Sequence, residues 1–405
     1  MIKFKNITLN SYINYIFVLY AFLLPLSRAA ITLLTALLFI LWLFTDDFRE
    51  KINFLKSNKA VIYLVAFVAF SLLSLLWTDN VSSGLYYIRK YWYFLPIFVI
   101  ATTVEKRFIY HGVSAFLLGM LVSEIISYGI FLELWSTRHS SPSDPTPFMS
   151  HVQYSMFLAF TSLLILNRLF KETELKWRAI YFLYFLTATS NLFLNGGRTG
   201  QLAFILSIFV VGILNIKHRV VAFASMFVLL TAILFTAYNV SPVFKSRVHT
   251  SIAESKNILD SNHKGSLGQR ISMWTVGTKI FLDNPVAGLG VSCEMNVLND
   301  YIDKYYPDMS NIKHTNSYHS NYIQPLAQLG IIGFILYMMF IYSLITLKIH
   351  NREYKNMLII FVIVYSISSI FETMFHSQFG EALLALFVGI FIAESRQENE
   401  ARHSR

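Results

Sequence analysis

Apolar runs of about twenty residues recur along nearly the whole chain, from YINYIFVLYAFLLPLS near its start to ALLALFVGIFIAES near its end. A hydrocarbon core about 30 Å thick takes roughly 20 such residues as a helix, and only a segment that satisfies its own backbone hydrogen bonds can cross it. The runs therefore dictate an all-α polytopic membrane protein rather than a string of soluble domains. Composition agrees: 55% of the 405 residues are hydrophobic and 14% are charged, with a mean hydropathy of +0.52.

Hydropathy places spans near 11–26, 29–45, 60–77, 86–103, 108–134, 150–166, 178–195, 199–215, 220–238, 320–347, 356–372 and 380–394. About twelve spans put both termini on the same side. Only SRA separates the first two, so a re-entrant hairpin stays open there. Orientation follows from Lys and Arg in the short connections. Arg49, Lys51, Lys56 and Lys59; Lys106 and Arg107; Arg168, Lys171, Lys176 and Arg178; Lys217 and Arg219; and Lys348, Arg352 and Lys355 all fall on the side of the termini, with Arg396, Arg402 and Arg405 in the tail. The opposite connections hold only Arg28, the Arg89/Lys90 pair, Arg138 and Arg198. Both termini are therefore expected in the cytoplasm. Lys3 and Lys5 before the first run mimic a signal peptide, but the next apolar run follows at once and makes it an uncleaved span.

The chain divides into nine spans over 1–238, a long outer segment over 239–319, three spans over 320–394 and an inner tail over 395–405. A loop this long is functional or disordered, and its Trp, Tyr, Ile and Leu content argues for structure. Within it, SLGQRISMWTVGTKIFLDNP spaces Leu267, Ile271, Trp274 and Ile280/Phe281 as one helical face ending before Pro285. Amphipathic helices lying on the outer surface are expected. WSTRHSSPSDPTPFMS reads as an irregular outer connection.

Several function classes drop out. The net charge of +10 is scattered between apolar runs, not gathered on a nucleic-acid-binding face. Cys293 is alone, which excludes an internal disulfide. There is no Walker A loop, G-x-G-x-x-G turn or H-E-x-x-H helix, so ATP hydrolysis is not expected. His314 and His319 lack a third ligand in the sequence, and no metal or other cofactor is expected.

The polar residues that break the pattern gather on the outer side. In LNGGRTGQLAF, Arg198 starts a helix, either snorkelling to water or holding an anion beside exposed N–H groups. Arg270 lies on the loop helix with Gln269 beside it and Trp274 one turn away. His319 stands where TNSYHSNYIQPLAQLGIIG becomes apolar, and a ring with an ordinary pKa of about 6.5 is a natural base near neutrality. If helical, the same segment puts Asn321, Gln324 and Gln328 on one face and His319 away from it; Pro325 allows His319 to precede the helix altogether. His151, with Gln153 and Tyr154, opens the sixth run and faces the same side. Glu124 inside an apolar run is costly, marking function or a protonated or paired group. Glu372 and His376 fall at helix ends and read as capping or packing residues.

Together GGRTG, QRISMW followed by NPVAGLG, and HSNYIQPLAQLGIIG resemble the conserved elements of the O-antigen ligase and Wzy-type polymerase superfamily. Twelve spans and a large loop before the histidine motif extend the resemblance over most of the chain. It implies a GT-C-like inner-membrane glycosyltransferase of a Gram-negative bacterium, working at the periplasmic face on an undecaprenyl-diphosphate-linked glycan. In the ligases of the family the acceptor is lipid A core and no metal takes part. Carried over, Arg198 and Arg270 would bind the diphosphate and His319 would be the essential histidine; the reading of the residues themselves adds Gln269, Trp274, Asn321, Gln324 and His151 as supporting candidates. The chemistry is coherent: the donor is already activated, guanidinium groups match phosphate oxygens, and a base takes the acceptor proton. A polymerase using the same donor is the nearest rival. A secondary transporter built around Glu124 is the rival from another class, disfavoured by the absence of an internal repeat.

Overall fold

The computed structural model describes residues 8–137, 140–259, 265–292, 296–313 and 315–403. Lys3, Lys5, Arg138, Cys293, His314 and Arg405 lie outside the described residues. Each of the twelve apolar runs is helical. The helices are α1 (Leu9–Leu23), α2 (Arg28–Leu43), α3 (Phe48–Ser57), α4 (Lys59–Leu73), α5 (Val81–Ile88), α6 (Leu95–Thr103), α7 (Lys106–Phe131), α8 (His151–Lys171), α9 (Leu175–Leu194), α10 (Arg198–Asn215) and α11 (Arg219–Val240). They continue with α12 (Pro242–Leu259), α13 (Ser266–Asp283), α14 (Asn296–Tyr305), α15 (Ile323–Ile345), α16 (Arg352–Phe371) and α17 (Gln378–His403). No strand occurs among the described residues.

The short connections work because side chains cap the helix starts. Ser27 Oγ accepts from the Ala30 N–H at 3.2 Å and Asn58 Oδ1 from the Ala60 N–H at 3.0 Å. Each satisfies an N–H that the helix itself leaves unpaired. Four residues, Leu24 to Ser27, then suffice to turn α1 into α2.

Among the described residues, eight helices are long and apolar enough to cross a membrane. The other runs fall short for visible reasons. Helix α1 has only 15 residues, α2 and α3 are bent by 110°, a 3-10 stretch over Arg89–Phe94 separates α5 from α6, and α9 starts with Lys176 and Arg178. At the centre stands α17, whose apolar stretch is 94% buried against 17% for α11. Phe387 of α17 packs edge-on to Phe116 of α7 and Phe160 of α8, with ring centroids 5.1 and 4.7 Å away. Glu124 is buried in α7 against Thr187 of α9.

The long segment is structured, and α13 ends at Asp283 as the spacing predicts. Its buried face is different from the expected one. Ser272, Met273, Val276 and Ile280 are buried, whereas Leu267, Ile271 and Trp274 are only half-buried. Small residues decide this: Gly277 sits so near α15 that a Cβ would come within 2.5 Å of Ile323. The closest-approach face buries, not the most apolar one.

Two of the sequence motifs prove to be halves of one joint. Helix α15 breaks at Gly330 (φ 63°, ψ −159°), a conformation open essentially to glycine alone. The break frees backbone groups that lipid cannot satisfy. The NPVAGLG segment takes them up: the Leu289 and Gly290 N–H groups donate to the Ala327 and Gln328 carbonyls at 3.2 and 2.8 Å, and the Ile331 N–H donates to Pro285 at 2.8 Å. A side chain on Gly330 would press within 2.4 Å of the Val286 carbonyl. Gly330→Ala is expected to destabilise the protein by about 1–3 kcal/mol or more through backbone strain alone, lowering the melting midpoint measured by tryptophan fluorescence in detergent. An unchanged midpoint would show that the joint contributes nothing.

Candidate functional site

The loop end of the bundle is assembled around two close approaches. Gly197, just before α10, lies so near α8 that a Cβ would meet the His151 carbonyl at 2.4 Å, and one on Gly200 would meet the Ser155 backbone at 2.1 Å. The GGRTG run thus lets α10 start against α8, with Arg198 as its first residue. His151 opens α8 nearby, its Nδ1 3.1 Å from Asp144 Oδ2.

From Arg198 a continuous path of contacts leads to His319. The Arg198 guanidinium donates twice to Glu254 of α12, Nη1 to Oε2 at 2.7 Å and Nη2 to Oε1 at 3.4 Å, and Nη1 also donates to Ser251 Oγ at 3.1 Å. Glu254 in turn accepts from the Ser266 and Leu267 N–H groups at 3.2 and 3.4 Å, at the start of α13. One turn on, Arg270 donates through Nη1 to Ser266 Oγ and through Nε to the Phe371 carbonyl, both at 3.0 Å. Glu372, the next residue, lies 3.1 and 3.2 Å from His319 Nδ1 through its two carboxylate oxygens.

Charges along this path alternate, and the two carboxylates feel their cationic neighbours. Burial pushes the Glu254 carboxyl up, but Arg198 and the two α13 N–H groups outweigh it and hold it below its usual range. Burial likewise acts upward on Glu372, and the His319 hydrogen bond and charge, the Thr373 N–H and Arg270 together bring it below its usual value. Burial lowers the Arg270 pKa, and the charge of Glu372 opposes the shift.

His319 is held in a strained backbone, with φ 46° in the left-handed region, which costs a non-glycine residue about 1 kcal/mol or more. Its neighbours are pinned. Asn321 donates from its N–H to the Ser369 carbonyl and from Nδ2 to Ser369 Oγ, both at 2.8 Å, and accepts from the Phe375 N–H at 3.2 Å. Gln324 Oε1 accepts from the Tyr318 N–H at 2.9 Å. An ionised Glu372 accepts the Nδ1 proton, which leaves the lone pair on Nε2. That is the tautomer a base needs.

Other sequence expectations sort out individually. Helix α15 begins at Ile323, so His319 precedes it as Pro325 allows, and Asn321 shares no helical face with Gln324 and Gln328. All three amides nevertheless line one small cavity with Tyr87 and His376. Gln328 Nε2 donates to the Ser292 carbonyl at 2.7 Å and so braces the glycine turn. Trp274 lies 5.8 Å from the Phe371 ring, and Gln269 is exposed. His376 packs, stacked 3.6 Å from Tyr87. Glu372 does more than cap α16: it is the partner of His319. Sequence reasoning missed that role and did not single out Glu254, although Arg247, Ser251 and Glu254 share the i, i+4, i+7 spacing of one helix face.

Residues 183–338 match the family model described as O-Antigen ligase, a stretch that takes in Arg198, Arg270 and His319. The chain is also similar to a protein of Haemophilus influenzae described as uncharacterized, 22% identical over 340 residues that cover 80% of this chain and 82% of that one.

Since the folded Glu254 has a lowered pKa, its ion pair stabilises fully above the unfolded carboxylate value and is lost as pH falls through the folded one. Glu254→Gln is expected to lower stability at pH 7 by about 1–3 kcal/mol. It should also flatten the loss of the native protein on acidification below about pH 4.5, measured as melting midpoint against pH. A variant with the native acid profile would contradict the pairing.

Proposed function

We propose that this protein is an O-antigen ligase, moving O-antigen polysaccharide from undecaprenyl diphosphate to lipid A core at the periplasmic face of the inner membrane. The observation that carries the reading is the path of contacts bringing Arg198, Arg270 and the His319–Glu372 pair to one end of the bundle. The family match over residues 183–338, which include Arg198, Arg270 and His319, supports it, and the Lys/Arg asymmetry supports twelve spans with cytoplasmic termini.

In the reaction, the bond between the glycan anomeric carbon and the diphosphate oxygen breaks, and its electron pair leaves with the diphosphate. Arg198 and Arg270 supply fixed donors where that charge grows, already oriented by Glu254, Ser266 and the Phe371 carbonyl. The acceptor hydroxyl attacks the anomeric carbon and passes its proton to His319 Nε2. Glu372 keeps the ring in the required tautomer and stabilises the imidazolium that forms. The charge stabilisation is assigned to the guanidinium groups, whose paired N–H donors match the oxygens of a diphosphate.

Purified His319→Ala is expected to transfer glycan about 100- to 10,000-fold more slowly. Glu372→Gln should lose less, with donor binding preserved in both. Transfer is measured from a lipid-linked glycan to lipid A core and, in parallel, to a second lipid-linked oligosaccharide. Full activity of His319→Ala would remove the mechanism. Growth of the lipid-linked oligosaccharide in place of transfer to lipid A core would make the protein a polymerase.

A further inference from the structure

Helices α9 and α11 leave between them an apolar groove of about 430 Å³, lined by Phe182, Leu186, Phe193, Leu229, Ile233 and Ala237 among others. Its outer end meets the start of α12. There Ser241 Oγ donates to the Phe193 carbonyl at 3.1 Å, and the Phe193 and Phe244 rings meet edge-on at 5.0 Å. The next contact outward is Arg247 on Gly196, where a Cβ would come within 2.7 Å of Nη2, so the guanidinium lies on the glycine backbone. Beyond it, Ser251 and Glu254 hold Arg198. Three successive contacts therefore join α12 to the turn between α9 and α10: apolar at the groove, then cationic, then the ion-paired arginine.

The middle contact is chemically different from the others. Arg198 is neutralised by Glu254, and Arg270 sits beside Glu372. Arg247 is half-buried, and its guanidinium has no hydrogen-bond or ion-pair partner among the described residues. At 1.5 Å per residue, it stands about 4.5 Å beyond Phe244 and about 6 Å short of Ser251 along α12, a separation on the scale of a diphosphate.

We infer that the α9–α11 groove holds the polyprenyl chain of the lipid-linked donor and that Arg247, at its mouth, binds the diphosphate together with Arg198. This rests on the proposed donor but assigns a residue and a tail site beyond it. An apolar channel ending in an uncompensated cation fits an amphiphile with an anionic head, and glycine at position 196 keeps the guanidinium face uncovered by any side chain of that residue.

The test uses the full-length protein in phospholipid nanodiscs, titrated with undecaprenyl diphosphate and with inorganic pyrophosphate. Arg247→Ala should weaken binding of both by about 10- to 100-fold, the value of hydrogen bonds to a charged group, with Arg247→Lys between it and the native protein. Ala237→Trp, which fills the groove, should weaken undecaprenyl diphosphate alone. Melting midpoints confirm that the variants are folded. Native binding by Arg247→Ala, or displacement of the lipid by phosphatidylglycerol at equal concentration, overturns the inference while glycan transfer by the native protein leaves the ligase reading standing. Failure of the native protein to bind undecaprenyl diphosphate or transfer glycan overturns both.

Discussion

A transmembrane helix that breaks must find partners for its freed backbone groups, because lipid offers none. Helix α15 breaks at Gly330, and the segment between Pro285 and Gly290 supplies the missing donors and acceptors. This one exchange fixes the long loop to the bundle. It anchors the end of α13, which carries Arg270, and the start of α15, which His319 precedes. Gln328 and the glycine turn then brace each other. The loop is thus part of the fold, and the residues it brings are held by main-chain geometry.

Electrostatics complete what the joint begins. Positive and negative groups alternate from Arg198 through Glu254, Arg270 and Glu372 to His319, so each carboxylate on this path has a basic partner. Removing one partner of such a pair costs far more than the pair contributes over an apolar substitute. The alternation also sets chemistry: guanidinium groups oriented by carboxylates lose little freedom when an anion arrives, and an imidazole on a carboxylate keeps its proton on Nδ1. Arg247 lies outside the alternation, and its guanidinium has no ion-pair partner among the described residues.

Much of this was legible in the chain. Its apolar runs fall on helices, since span length is set by bilayer thickness, although α17 continues to His403 and the run over 86–103 is divided between α5, a 3-10 stretch and α6. The motifs around Arg198, Arg270 and His319 stood out because each interrupts an apolar pattern. The buried face of α13 did not follow its hydrophobic spacing, because small residues permitting contact with α15 outweighed the larger apolar ones. Glu372 was visible in FETMFHSQFGE but looked like a helix end. Its partner lies 53 residues away, and local periodicity carries no information at that distance.

By itself, the sequence determined that the chain forms helices in lipid and which side chains are too polar to be there without cause. Solvent fixes both, since apolar length and the cost of an unsatisfied polar group are local properties. Only the tertiary structure decided that three distant motifs share one end of the bundle, that Glu372 orients His319 and that Glu254 holds Arg198. Those outcomes depend on glycine close approaches and a broken helix ladder, and they exist only once separate segments have packed.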